Sequence, residues 1–184
     1  MVYLLLADGF EEVEAISPID ILRRADISIT TVSLIDDLLV KGGHDIYVKA
    51  DISISQVDLA DMDMLVLPGG GVGVATLAKS QPAMDLIQKA WEAGKIVAAI
   101  CAAPTLLSKL GFLKDRSLVC HPTVADEIKA SGGNLLAGLC SARDGNLITG
   151  MAAGTSIDFG LELVAALRGS EAASALRNSI YYQT

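Results

Sequence analysis

The sequence predicts an α/β domain built on a mainly parallel sheet with helices on both faces, plus a small β-hairpin. Short aliphatic runs at residues 2–7, 64–67 and 96–100 contain no charged residue, as strands covered on both sides require. Apolar residues at helical spacing follow each run, and glycine or proline separates the two patterns. Strand and helix patterns alternate to the end of the chain, which places parallel strands in one sheet.

Residues 2–7 form a buried first strand, and residues 12–25 follow as a helix with Val13, Ile16, Ile19 and Ile21/Leu22 on one side. Residues 27–34 alternate β-branched and polar side chains. Lys41-Gly42-Gly43-His44 supplies a turn before Ile46-Tyr47-Val48, the hairpin. Residues 64–67 run into the glycine-rich PGGGVG. Gln81-Pro82 opens a helix that carries Met84, Ile87 and Trp91 to Gly94. Residues 96–100 are a strand, and Pro104 sits where a first helical turn accepts it, with Leu106, Leu107 and Leu110 leading to Gly111. A helix is expected at 124–130, strands at 139–142 and 147–149 around Asp144-Gly145, and a long helix at 157–167.

The 184 residues suit one compact core, so a single domain over 1–184 is expected. With 14 basic against 22 acidic residues, the formal charge of −8 offers no footprint for nucleic acid or an anionic membrane. The apolar start lacks a basic flank and meets Asp8, so it reads as a strand and not as a signal peptide. Residues 64–78 are uncharged but too short to span a bilayer, and Pro68 and the glycines interrupt them. Cys101, Cys120 and Cys140 are odd in number and form no CxxC pattern. That excludes a disulfide framework and a structural zinc site, and a reducing, cytoplasmic location is expected.

Ligands of doubly wound sheets collect beyond the carboxyl ends of the strands. Four places qualify here: residues 8–14, 69–71, 101–103 and 150–155. Cys101 stands at a strand-to-helix turn, where a thiol is held out of the core and feels the helix amino terminus, so a lowered thiol pKa is expected. Ala102 and Ala103 leave room for a substrate and let backbone N–H groups face an oxyanion. Glu14 lies about one turn after Glu11 at the sheet's carboxyl edge, where partial burial would keep its proton near neutral pH. The other two glutamates of Glu11-Glu12-Glu14 read as solvated. His121, held by Pro122, is a third titratable candidate. Cys120 beside it raises a metal reading, but no second close ligand pair exists and no metal is expected. The glycines of LPGGGVG fit no GxGxxG register; they point to a close backbone approach to a small ligand and not to a dinucleotide.

With GFEEVE at Gly9 to Glu14, LPGG at Leu67 to Gly70, AAICAAP at Ala98 to Pro104, and His121-Pro122 in that order, the chain resembles the ThiJ/PfpI superfamily over nearly its whole length. It is similar to the branch containing the parkinsonism-associated protein deglycase and its bacterial homologues. The resemblance implies a flavodoxin-like three-layer sandwich, Cys101 as nucleophile, Glu14 as its protonated partner and His121 as a further acid or base. It also implies an anion pocket from the amides of Gly69, Gly70 and Ala102, and a homodimer that packs Pro18 and Asp20 near the partner's site. Ala102 stands where PfpI-type peptidases carry histidine. His44 replaces an arginine, so a salt bridge to Asp20 of a second copy would depend on pH. Gly150-Met151-Ala152-Ala153 replaces Ser-Arg-Gly-Pro. The function expected is a cysteine-dependent, cofactor-independent enzyme acting on methylglyoxal, other small carbonyl substrates or a glycated protein. The alternatives are a redox-sensing or chaperone protein that uses an oxidisable Cys101, and a PfpI-type peptidase.

Overall fold

The computed structural model describes residues 1–183. The elements run β1 (Val2–Leu6), α1 (Glu12–Arg24), β2 (Ile29–Ser33), β3 (Leu39–Lys41), β4 (Tyr47–Lys49), β5 (Ile52–Ser53), β6 (Met64–Leu67), α2 (Gly71–Lys79) and α3 (Gln81–Glu92). They continue as β7 (Ile96–Ile100), α4 (Pro104–Lys109), β8 (Ser117–Leu118), α5 (Ala125–Ala130), β9 (Asn134–Leu135), β10 (Ser141–Asp144), β11 (Leu147–Gly150), α6 (Ser156–Arg168) and α7 (Ser170–Ser179).

Seven strands form one sheet in the order β10-β11-β7-β6-β1-β2-β5, parallel except for the edge strand β10. Because strand side chains alternate in direction, the sheet feeds two separate cores. Val2, Leu4 and Leu6 of β1 pack with α1, α6 and α7, whereas Tyr3 and Leu5 pack with α2, α3, α4 and α5. This is the flavodoxin-like sandwich expected from the sequence. The β3–β4 hairpin stands apart as an antiparallel pair. Among the described residues no helix is long and apolar enough to cross a membrane.

Helix α2 carries Gly71 and Gly73, poor helix formers that blur its start in the sequence. Packing overrides that propensity. A Cβ on Gly73 would come within 2.7 Å of the Phe10 backbone, so glycine lets α2 close onto the β1–α1 loop. The strand expected at 139–142 lies two residues later, as Ser141–Asp144, and its turn places Gly145 at φ 59°. Leu139 is left exposed instead of paired.

Candidate active site

The four expected strand ends converge because β11, β7, β6 and β1 are neighbours in the sheet. Backbone bonds lock them together: Cys101 N–H donates to the Gly150 carbonyl at 3.0 Å, Glu11 N–H to Gly69 at 3.0 Å, and Gly73 N–H to Gly9 at 3.0 Å. His121 N–H reaches the Cys101 carbonyl at 2.9 Å, which brings the His121-Pro122 loop to the same edge.

Cys101 has φ 65°, a left-handed conformation that costs a side-chain-bearing residue energy. The backbone turns here between β7 and α4, and the surrounding bonds hold the thiol half-buried at the rim of the sheet. Helix α4 starts three residues later and is only six residues long, so the amides nearest the sulfur, those of Ala102 and Gly70, are what favour its anion.

Glu14 points inward from the first turn of α1 and is 1% exposed. Its Oε2 accepts the Gly69 N–H at 2.9 Å. The anion pocket expected from Gly69, Gly70 and Ala102 is therefore corrected at one member. The Gly69 amide is committed to positioning the carboxyl group, leaving Gly70 and Ala102 to face the sulfur. A Cβ on Gly69 would collide with Glu14 Oε2 and lie 2.7 Å from Cys101 Cβ, so this glycine fills the gap between acid and nucleophile.

Burial pushes the Glu14 carboxyl up to about 7, with the charge of Glu11 adding to the effect, while the Cys101 thiol and the Gly69 amide oppose it. Burial also pushes the Cys101 thiol up to about 12, followed by repulsion from the Glu14 carboxylate, against the amides of Ala102 and Gly70. The expected lowering of the thiol pKa is overturned. Two anions this close repel each other, so the pair keeps one proton between about pH 7 and about pH 12. Sulfur becomes an anion only when that proton sits on Glu14.

The glutamate cluster also differs from expectation. Only Glu11 is partly exposed, whereas Glu12 is 5% exposed and clamps the hairpin to α1. Its Oε1 accepts the His44 N–H at 2.6 Å and its Oε2 meets the His44 Nδ1 at 2.8 Å. Burial alone would raise its pKa, but the His44 ring and the N–H groups of His44, Glu12 and Ile46 hold it below the usual carboxylate range. The signal in the sequence is Gly42, where a Cβ would sit 2.7 Å from Glu12 Cγ. Glu12→Gln is expected to loosen the clamp by about 1.5–3 kcal/mol, the worth of hydrogen bonds to a charged acceptor. Hydrogen exchange of residues 43–48 should speed up while β1 and β6 stay protected.

The dimer residues are placed as follows. Asp20 is exposed, but Arg24 of the same helix takes its carboxylate at 2.6 Å, and the His44 ring belongs to Glu12 of its own chain instead of standing free for Asp20 of a second copy. Pro18 is buried within its own chain; α1 presents Val13, Ile16 and Asp20 outward. Among the described residues, Glu11, Glu12 and His44 are the group whose donor atoms lie close enough to consider a metal, within 4.8 Å of one another. Both oxygens of Glu12 are already engaged by the hairpin, so an ion would have to displace those bonds. Cys120 is buried, its thiol pushed up by burial, and takes no part.

The chain is similar to known proteins over nearly its whole length. Protein dj-1beta of Drosophila melanogaster is 36% identical over 168 residues, covering 91% of this chain and 89% of the relative. The glutathione-independent glyoxalase DJ-1 of Schizosaccharomyces pombe is 30% identical over 187 residues, covering 97% of each. The crystal structure of Drosophila DJ-1beta superposes with a TM-score of 0.92 at 33% identity, over 100% of this chain and 98% of that one. An oxidized Toxoplasma gondii DJ-1 gives 0.90 at 28% identity, over 100% and 98%. With its elbow cysteine, its buried glutamate and a match to the family's sequence pattern over residues 1–166, the chain belongs to the DJ-1/PfpI family.

Proposed function

We propose that this protein is a cysteine-dependent, cofactor-independent enzyme for reactive carbonyls that converts methylglyoxal to lactate. The observation that carries this reading is the Glu14–Cys101 pair, which keeps a single mobile proton across the neutral range on a strained elbow faced by two amides. The name of the fission-yeast relative, a glutathione-independent glyoxalase, supports the same chemistry.

Cys101 attacks the aldehyde carbon as its proton passes to Glu14, forming a C–S bond and an oxyanion held by the amides of Gly70 and Ala102. Glu14 returns the proton to that oxygen and, again a carboxylate, removes the hydrogen of the former aldehyde carbon. The resulting enediolate takes that proton back at the neighbouring carbon while the hydroxyl proton of the former aldehyde oxygen passes to the former ketone oxygen, which leaves a thioester. Water cleaves the thioester, releasing lactate and restoring the thiol. One water is consumed and no electron leaves the substrate, so no redox cofactor enters the balance. Carbonyl adducts on proteins offer the same first step, and a reducing cytoplasm preserves the thiol.

The test is incubation of the purified, chelator-treated protein with methylglyoxal, with the product read by chiral chromatography. Lactate without added glutathione or metal is expected. Its absence sinks the reading.

A second reading, redox sensing, draws on the same site. Two equivalents of peroxide would oxidise Cys101 to a sulfinate, whose oxygens the Gly70 and Ala102 amides and a protonated Glu14 suit. The oxidized state of the Toxoplasma relative lends it support.

We also infer a homodimer through α1 and the hairpin. Val13 and Ile16 on α1 and Leu39, Ile46 and Tyr47 at the hairpin are exposed apolar residues, and the Glu12–His44 clamp joins the two elements that carry them. Sedimentation velocity should find a dimer that Ile16→Glu converts to monomer. A monomeric wild type removes the inference.

A further inference from the structure

His121 makes two contacts with the residue two positions on. Its Nδ1 lies 2.8 Å from the Thr123 hydroxyl and 3.3 Å from the Thr123 backbone N–H, which caps the short 3-10 turn at Pro122–Val124. The hydroxyl is ambiguous because it can donate or accept. The amide is not: a backbone N–H only donates, so Nδ1 must present its lone pair. The neutral ring then carries its proton on Nε2, and among the described residues nothing takes that atom as a partner. The loop is anchored by the His121 N–H on the Cys101 carbonyl at 2.9 Å, so the ring starts from a backbone fixed to the nucleophile.

We propose that Thr123 is a positioning residue that holds His121 as its Nε2–H tautomer, so that the imidazole serves the site as a hydrogen-bond donor to a substrate oxygen. The inference rests on Cys101 being the nucleophile. It divides the labour between the two titratable groups: Glu14 receives the thiol proton and moves it between carbons, and His121 steadies the oxygen on which negative charge gathers. No proton leaves His121 in this role. A hydrogen bond accepted at Nδ1 favours the tautomer that donates from Nε2 over the one that does not, and that bond is what Thr123 supplies.

Only two histidines are present, so the ring can be read directly by long-range ¹H–¹⁵N correlation, with His44→Gln leaving His121 as the sole imidazole. In the neutral ring, Nδ1 is expected at a bare, lone-pair shift and Nε2 at a protonated one, without the admixture of the Nδ1–H form that free imidazole shows. Thr123→Val removes the shorter of the two bonds, so the admixture should return and kcat should fall about two- to tenfold, the rate equivalent of one neutral hydrogen bond, with KM little changed. Thr123→Ser keeps the hydroxyl and should restore both. An Nδ1–H signal in the wild type overturns the proposal. So does a Thr123→Val protein identical to wild type in tautomer and kcat, or a Thr123→Ser protein as impaired as Thr123→Val, which would show that keeping the hydroxyl does not keep the effect. If wild type forms no lactate, the proposed activity fails, while the ring's tautomer still decides this inference.

Discussion

Cys101→Ser is expected to end lactate formation, and Glu14→Gln is expected to cut it by roughly 10²–10⁴ while making the thiol more reactive toward alkylating agents. The two effects of Glu14→Gln part company because Glu14 plays two electrostatic roles. Its carboxylate is the base that takes the thiol proton, and its charge helps push the Cys101 thiol up to about 12. A neutral amide removes both. The Gln oxygen can still accept the Gly69 N–H and its NH₂ can donate to sulfur, so the anion becomes easier to form while no group remains to carry protons between carbons. Iodoacetamide labelling of Cys101 at mildly alkaline pH should therefore be faster than in wild type. Slower labelling would show that Glu14 does not oppose the thiolate. In the wild type, turnover should rise with pH through about 7, since below it Glu14 is protonated and cannot accept the thiol proton, and above it the pair holds its single proton. A rate that falls through the same range would reverse the assignment of base and nucleophile.

Gly69→Ala is expected to be nearly as damaging, though it adds one methyl group and leaves both reacting residues in place. The added carbon would overlap Glu14 Oε2 and approach Cys101 Cβ to 2.7 Å, with the Ile100 carbonyl at 3.1 Å behind it. The flexible end of this crowd is the carboxyl group, so Glu14 must swing away and lose the Gly69 N–H that holds it. Misplacing a catalytic group by about 1 Å can cost on the order of 10² in rate. Because β6 itself is untouched, far-ultraviolet circular dichroism and a melting curve should show the fold retained. Near-normal turnover in a folded Gly69→Ala protein would mean that the Glu14 position matters far less than the geometry implies.

What the sequence discloses depends on how local the governing physics is. Met64–Leu67 and Ile96–Ile100 were legible to the residue, because a strand buried on both faces needs only an unbroken aliphatic run. Helix α7 was not legible: Leu176 is its one buried residue, too little to produce a periodic pattern. The Cys101 elbow was readable from a thiol between a strand and Pro104, whereas the direction of its pKa was not. That direction depends on how far the thiol is buried and on a carboxyl group 87 positions earlier in the chain, two facts that exist only after folding. Glu12 shows the same limit from the other side. Among three nearly adjacent acids, nothing local tells the clamp from the solvated residue; the hairpin brings His44 to one and leaves Glu11 at the margin.

The backbone at Cys101 has a consequence for any attempt to improve this protein. A side chain held at φ 65° costs about 1–3 kcal/mol, and glycine would adopt the same turn without that strain. Selection in the laboratory for heat resistance alone would accordingly favour Cys101→Gly and return a sturdier but inert scaffold. Only a screen that demands turnover at every round keeps the thiol in its uncomfortable place.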